Sequence, residues 1–203
     1  MRTFITIIAV SISSAIYAQG YDPLGDFVEV KPSIYVDAPS SAPATSPDNP
    51  LAEQIEHGRY MAELLGCPVC HTDGALVGEA RDSKPLAGSR IGIAYSNPLT
   101  HDRPGIVYPG NLTPDVTTGI GAWSENDLAK FIRSGLDPSG RQHLSVMPWL
   151  SFARLTDKDT RAIVTYLRSL PPVEFKVPDN VAPGEQAVAP YVHFGVYRSR
   201  KGP

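Results

Sequence analysis

Residues 67–71 read Cys67-Pro68-Val69-Cys70-His71, a C-x-x-C-H run that occurs once and contains both cysteines of the 203-residue chain. Two thiols at this spacing can reach one edge of a porphyrin, and the histidine after the second then faces the metal. The run reads as a covalent c-type haem attachment. A thioredoxin-like dithiol would expect a strand before the pair and a helix after it. Here a helix-like pattern precedes the cysteines and loop-like sequence follows. A zinc site would need a second ligand pair, and no later cysteine can supply thiolates. One haem c implies transfer of one electron at a time, with no general acid, base or nucleophile required.

Working outward, apolar or aromatic residues recur at Leu51, Ile55, Tyr60, Met61, Leu64 and Leu65, predicting a helix over 51–65 that stops at Gly66. Gly58 lies on the side of Ile55 and Ala62 and permits a close helix crossing. Residues 72–122 are rich in Gly, Pro and Asn and lack helical periodicity. Loops this long need a reason in a compact domain, and a haem whose flat faces serve as core supplies one. Ser124 caps a helix predicted to reach Leu136, with Asp127 placed for a capping box. Thr156 and Asp159 repeat that signature before Ile163, Val164, Tyr166, Leu167 and Leu170, and Pro171-Pro172 end the helix.

The first 20 residues, MRTFITIIAVSISSAIYAQG, carry a basic start, an apolar stretch and a small residue at Ala18, the pattern of a secretory signal over 1–18. That predicts export to the periplasm. No later stretch approaches 18 apolar residues. Residues 19–53 hold six acidic residues against Lys31 alone and include the Pro/Ser/Ala linker 36–50. Residues 54–172 balance twelve acids with twelve bases. No basic field suited to nucleic acid is present. The domains expected are the signal, the acidic extension 19–53, a haem domain at 54–172, and an irregular C-terminal extension at 173–203.

Haem iron needs a fifth ligand and can take a sixth. His71 is the fifth by its adjacency to Cys70. Met147, before Pro148 in an irregular stretch, is the leading candidate for the sixth, with His143, His101, Met61 or an open position as alternatives. Histidine with methionine raises the potential relative to two nitrogens, and a filled sixth position blocks oxygen chemistry. An apolar wall is expected from Leu65, Leu86, Ile91, Leu112, Trp123, Leu144, Trp149, Phe152, Leu155 and Leu167. Arg90, Arg141, Arg154 and the Trp123 indole are candidate partners for the haem propionates.

The haem run, Asn111-Leu-Thr-Pro-Asp115 leading to Thr118-Gly-Ile-Gly-x-Trp-Ser124, Met147-Pro-Trp-Leu-Ser-Phe-Ala-Arg-Leu-Thr156 and Tyr166-Leu-Arg-Ser-Leu-Pro-Pro172 together resemble the cytochrome c domains of bacterial dehydrogenase cytochrome subunits. The alcohol, aldehyde and gluconate dehydrogenase group is the closest kind. The resemblance covers 54–172. It implies a mostly helical class I cytochrome c fold with haem-covering loops, thioethers on Cys67 and Cys70, and axial ligands His71 and Met147. It also implies that Asn111 to Asp115 cover the propionate side and that Trp123 packs near it. Such subunits relay electrons from a dehydrogenase toward quinone or a terminal oxidase.

The sequence is thus read as a monohaem electron carrier that serves as a subunit of a periplasmic oxidoreductase or respiratory complex. Its partner is a redox protein or dehydrogenase/oxidase complex, through which it can associate with a membrane. A free shuttle and a haem-based ligand sensor are the alternatives.

Overall fold

The computed structural model describes residues 49–80, 84–96, 103–144 and 146–194. The expected signal at 1–18, nearly all of the acidic extension, His101 and the basic end Arg198–Lys201 lie outside the described residues. The described part is mostly helical, in keeping with a class I cytochrome c-like fold in general terms. It also carries a small mixed sheet that the sequence pattern does not announce.

α1 spans Pro50–Leu64; the Asn49 side chain accepts from the Leu51 and Ala52 amides (3.1 and 3.3 Å). The expected domain start at residue 54 therefore falls inside this helix. The chain then turns through Gly66 in a left-handed conformation (φ 76°) into α2, the short helix Cys67–His71. The cysteines thus follow directly on the end of α1, as expected, and sit on a short helix of their own. α3 spans Glu125–Ser134, α4 spans Trp149–Phe152 and α5 spans Asp157–Ser169.

Both predicted capping residues act as expected. Ser124 Oγ accepts from the Asp127 amide and Thr156 Oγ1 from the Asp159 amide, each at 3.1 Å. The carboxylates of Asp127 and Asp159 accept from those same hydroxyls (2.7 and 2.6 Å). α3 ends at Ser134, two residues short of the expected Leu136, with Gly135 capping it in a left-handed conformation (φ 71°).

α1 crosses α5 at very short range. A Cβ at Gly58 would lie 1.9 Å from the Ala162 carbonyl oxygen, so only glycine admits this approach. Gln54 donates to Thr165 (3.0 Å), and His57 pairs with Asp159 (2.7 Å) across the same seam. Leu86, Ile120, Leu128, Ile163, Val164 and Leu167 form the buried core, with Met61, Leu65, Leu112, Trp123 and Leu155 packed on it and partly exposed.

Within the Gly/Pro-rich region lie β1, Gly92–Ala94, and β2, Ile106–Val107, paired antiparallel with Ile93 opposite Val107. β3, Tyr191–His193, pairs with β1 in parallel, giving the order β2-β1-β3. The segment after α5 therefore returns to its own domain, and the expected boundary at 172 does not end the packed structure. Val181 bridges Ile106, and the Tyr108 hydroxyl donates to the Ala189 carbonyl (3.1 Å). Among the described residues no helix is long and apolar enough to cross a membrane.

Candidate functional site

α2 brings Cys67, Cys70 and His71 together on five residues, Pro68 occupying the first turn where a missing amide proton costs nothing. Both cysteines are free and half-buried. Burial pushes the Cys67 thiol up to about 11, and the Cys70 thiol also upward. Reactive redox thiols sit in electropositive surroundings that lower their pKa. The environment of this pair is of the opposite kind.

His71 is held at its ring and at its backbone. Its Nδ1 lies 2.7 Å from the Gly110 carbonyl oxygen. A carbonyl only accepts, so Nδ1 carries the proton and Nε2 keeps its lone pair. The His71 carbonyl accepts from the Gly88 amide at 2.8 Å. Burial drives the imidazole pKa below its ordinary value, partly opposed by the Gly110 carbonyl. The ring is therefore neutral at pH 7, the form that ligates a metal.

Next to it, the Thr72 hydroxyl accepts from the Leu86 amide (3.1 Å). The buried Asp73 carboxylate receives Arg90 through its backbone amide (2.9 Å), Nε (3.0 Å) and an end nitrogen (2.6 Å). Arg90 also lies over the Phe175 ring, 5.4 Å from its centre, with Lys84 at 5.3 Å. Arg90 thus pairs with Asp73 while its side chain stays half-exposed.

Asn111 is buried, and its side chain is satisfied within the chain. Nδ2 donates to the Val173 carbonyl (2.7 Å) and to Thr118 Oγ1 (3.0 Å). Oδ1 accepts from the Thr113 amide (2.9 Å) and hydroxyl (2.8 Å). That uses both donors and both lone pairs. Asn111 thus holds the loop expected to cover the propionate side.

Trp123 packs edge-on against Phe131, with centres 5.2 Å apart. Met147 is half-buried in the turn before α4, and its carbonyl accepts from the Trp149 amide (2.9 Å). Of the other axial candidates, Met61 packs on the core. His143 bonds the buried Asp137 carboxylate (3.1 Å), as does Arg141 Nε (3.1 Å), and stacks edge-on to Phe131. In the expected wall, Leu86, Phe152 and Leu167 are buried, while Leu144 is exposed.

Several features fit a porphyrin. Among the described residues no three His, Cys, Asp or Glu side chains converge on a metal. Leu65, Leu112, Trp123 and Leu155 are half-buried apolar side chains. The Trp149 indole N–H is a buried donor with no acceptor among the described residues, two positions from Met147. An open groove of about 510 Å³ lined by Gln54, Glu125, Lys130, Arg133, Asp157 and Thr165 contains none of the expected site residues.

Three features are not foreshadowed by the sequence pattern: the Gly110 carbonyl, the Asp73–Arg90 pair and the return of the C-terminal segment. Asp73, two residues after His71, is the one visible signal. Nothing in composition or spacing marks a backbone carbonyl.

No protein-family model matches the chain. Among curated proteins, a nicotinate dehydrogenase subunit of Pseudomonas putida is 35% identical over 141 residues, 68% of this chain and 11% of its own length. The fructose dehydrogenase cytochrome subunit of Gluconobacter japonicus is 31% identical over 142 residues, 68% of this chain and 24% of its own length. The alcohol dehydrogenase (quinone) cytochrome c subunit of Gluconobacter oxydans is 36% identical over 133 residues, 62% of this chain and 24% of its own length. The chain thus spans a quarter or less of each of these relatives. It contains a cytochrome c-like domain related to cytochrome c subunits of bacterial dehydrogenases, and the kinship supports a general electron-transfer role.

Proposed function

We propose that the protein transfers single electrons through one covalent haem c, as a subunit of a periplasmic oxidoreductase or respiratory complex. The observation that carries this reading is the His71 Nδ1–H bond to the Gly110 carbonyl (2.7 Å), on the same short helix as two free, half-buried cysteines. It leaves Nε2 free to ligate. Cys67 and Cys70 would hold the group through thioethers, and His71 and Met147 would ligate its iron. Bound there, haem iron takes up and releases one electron at a time.

The chain's own residues supply the rest. Gly110 orients His71 and fixes its tautomer. Leu65, Leu112, Trp123 and Leu155 exclude water, which disfavours the extra charge of the oxidised state. The Trp149 indole N–H offers a buried donor to a propionate. Val69, between the cysteines, and Leu144 and Leu150, on either side of Met147, are 51, 45 and 93% exposed. These flank the site with apolar surface suited to a redox partner. No bond-making reaction of its own is assigned to the chain. The signal-like start supports periplasmic placement.

The related dehydrogenase subunits favour the subunit form. The return of residues 173–193 onto their own domain favours a second form, a free shuttle, because that segment is not left over to grip a partner. Purification from the native envelope distinguishes them: the subunit copurifies with a dehydrogenase or oxidase, whereas the shuttle elutes alone at its monomer mass. The oxidised holoprotein should show the weak far-red band of sulfur-ligated ferric iron. Loss of that band in Met147→Ala checks the ligand. Its absence from the wild type would remove Met147 and open the way to a ligand-sensing protein.

A further inference from the structure

We infer that the segment after α5, latched by Asn111 and Thr113, sets the orientation of His71, so that Asn111 and Thr113 are positioning residues for the proximal ligand. The inference rests on the haem reading above. The imidazole N–H is aimed by the Gly110 carbonyl, and Gly110 has no side chain to secure its own place. Its carbonyl goes where the backbone of residues 110–113 goes; the Leu112 amide ties that backbone to the Leu86 carbonyl (2.8 Å), and the segment after α5 holds it from the other side.

Asn111 Nδ2 donates to the Val173 carbonyl at 2.7 Å. The Val173 amide donates to Thr113 Oγ1 at 3.1 Å, while the Thr113 hydroxyl donates to Asn111 Oδ1 at 2.8 Å. Further along, the Phe175 amide and Asn111 Nδ2 both donate to Thr118 Oγ1 (3.0 Å each), whose own proton goes to Asp115 (2.8 Å). Every donor has an acceptor, so the lattice forms as a unit. Val177 closes the layer: a Cβ at Gly88 would meet Val177 Cγ1 at 2.5 Å and the Asn111 amide nitrogen at 3.0 Å. The Gly88 amide is the group that bonds the His71 carbonyl. Segment, loop and ligand are thus stacked in contact, with partners about 60 residues apart in sequence.

A hydrogen bond from the imidazole N–H to a carbonyl makes the ring a stronger donor to its metal. Loosening the lattice should weaken that bond, favour the reduced metal and raise the midpoint potential. It should also expose the Nδ1 proton to exchange.

The test uses the full-length holoprotein and the pair Thr113→Val and Thr113→Ser, with Asn111→Ala alongside. NMR follows exchange of the His71 Nδ1 proton, voltammetry the midpoint potential, and circular dichroism the fold. We expect exchange about tenfold faster, the factor that accompanies loss of one or two buried hydrogen bonds, and a higher potential, in Thr113→Val and Asn111→Ala. Thr113→Ser, which keeps the hydroxyl, should restore both. If Asn111→Ala does not fold, the Thr113 pair decides. Wild-type exchange and potential in folded Thr113→Val would overturn the inference while leaving the haem reading intact. A wild-type protein that carries no haem stain on a denaturing gel would overturn both.

Discussion

The α1–α5 crossing and the shell around His71 are built by different means. At the crossing, two helices touch backbone to backbone where Gly58 meets Ala162, and apolar side chains of α5 fill the core below. Around His71 the chain has little regular structure, and it is fixed by hydrogen bonds that the side chains of Thr72, Asp73, Asn111, Thr113 and Thr118 make or accept. The first region makes a stable domain and the second places chemical groups. Damage to one should be separable from damage to the other.

The sharpest separation comes from two glycines. Gly58→Ala puts a methyl group 1.9 Å from the Ala162 carbonyl oxygen, an atom that cannot move without the helix. It should cost about 3 kcal/mol or more in urea unfolding. The far-red ligand band should persist in whatever folded fraction remains. Gly88→Ala should cost about 2–3 kcal/mol, from its φ of +93° and the clash with Val177. Here the site should change as well, because Gly88 bonds the His71 carbonyl. If Gly88→Ala loses stability but leaves the His71 signals unmoved, the two regions are not distinct in the way described.

Arg90→Ala tests the shell from its surface. The guanidinium is half-exposed while Asp73 is buried, so the loss should be about 1 kcal/mol, reduced by solvent screening. The ligand band should stay in place. Thr156→Ala addresses the helix region most gently, removing a cap worth about 1 kcal/mol. The Thr156 hydroxyl, followed by His57, holds the Asp159 carboxyl below the usual carboxylate range. A carboxyl depressed in the folded state contributes stability above its unfolded pKa of about 3.9, and that contribution fades as pH falls below it. Urea midpoints of Thr156→Ala and wild type should therefore differ less at about pH 3 than at pH 7. An equal gap at both pH values would contradict the assignment.

What the sequence could convey follows the same division. Helices declare themselves through local signals: Leu51 to Leu65 by periodicity, Ser124 and Thr156 by caps, Pro171-Pro172 by a stop. The haem run is likewise local, and it assembles three candidate groups on α2. The shell is nonlocal. Asn111 finds Val173 across 62 positions, and β1 finds β3 across about a hundred. A three-residue strand such as Tyr191–His193 is too short to carry an alternating pattern. Its segment, dense in proline, has the composition of a loose extension. Arg90 looks like a free cation in sequence because its partner, Asp73, lies 17 residues earlier in a loop. Asn111 stands out in the sequence, but its bond to Val173 does not.

The central claim, that one haem is bonded to α2, is tested most directly by the intact mass of the protein. The protein would be produced with c-type maturation and denatured in acid acetone before weighing. The account predicts the mass of the processed chain plus one haem, reduced to the bare chain in Cys67→Ala/Cys70→Ala. A wild-type protein that weighs only its polypeptide, with its colour left in the solvent, would contradict it.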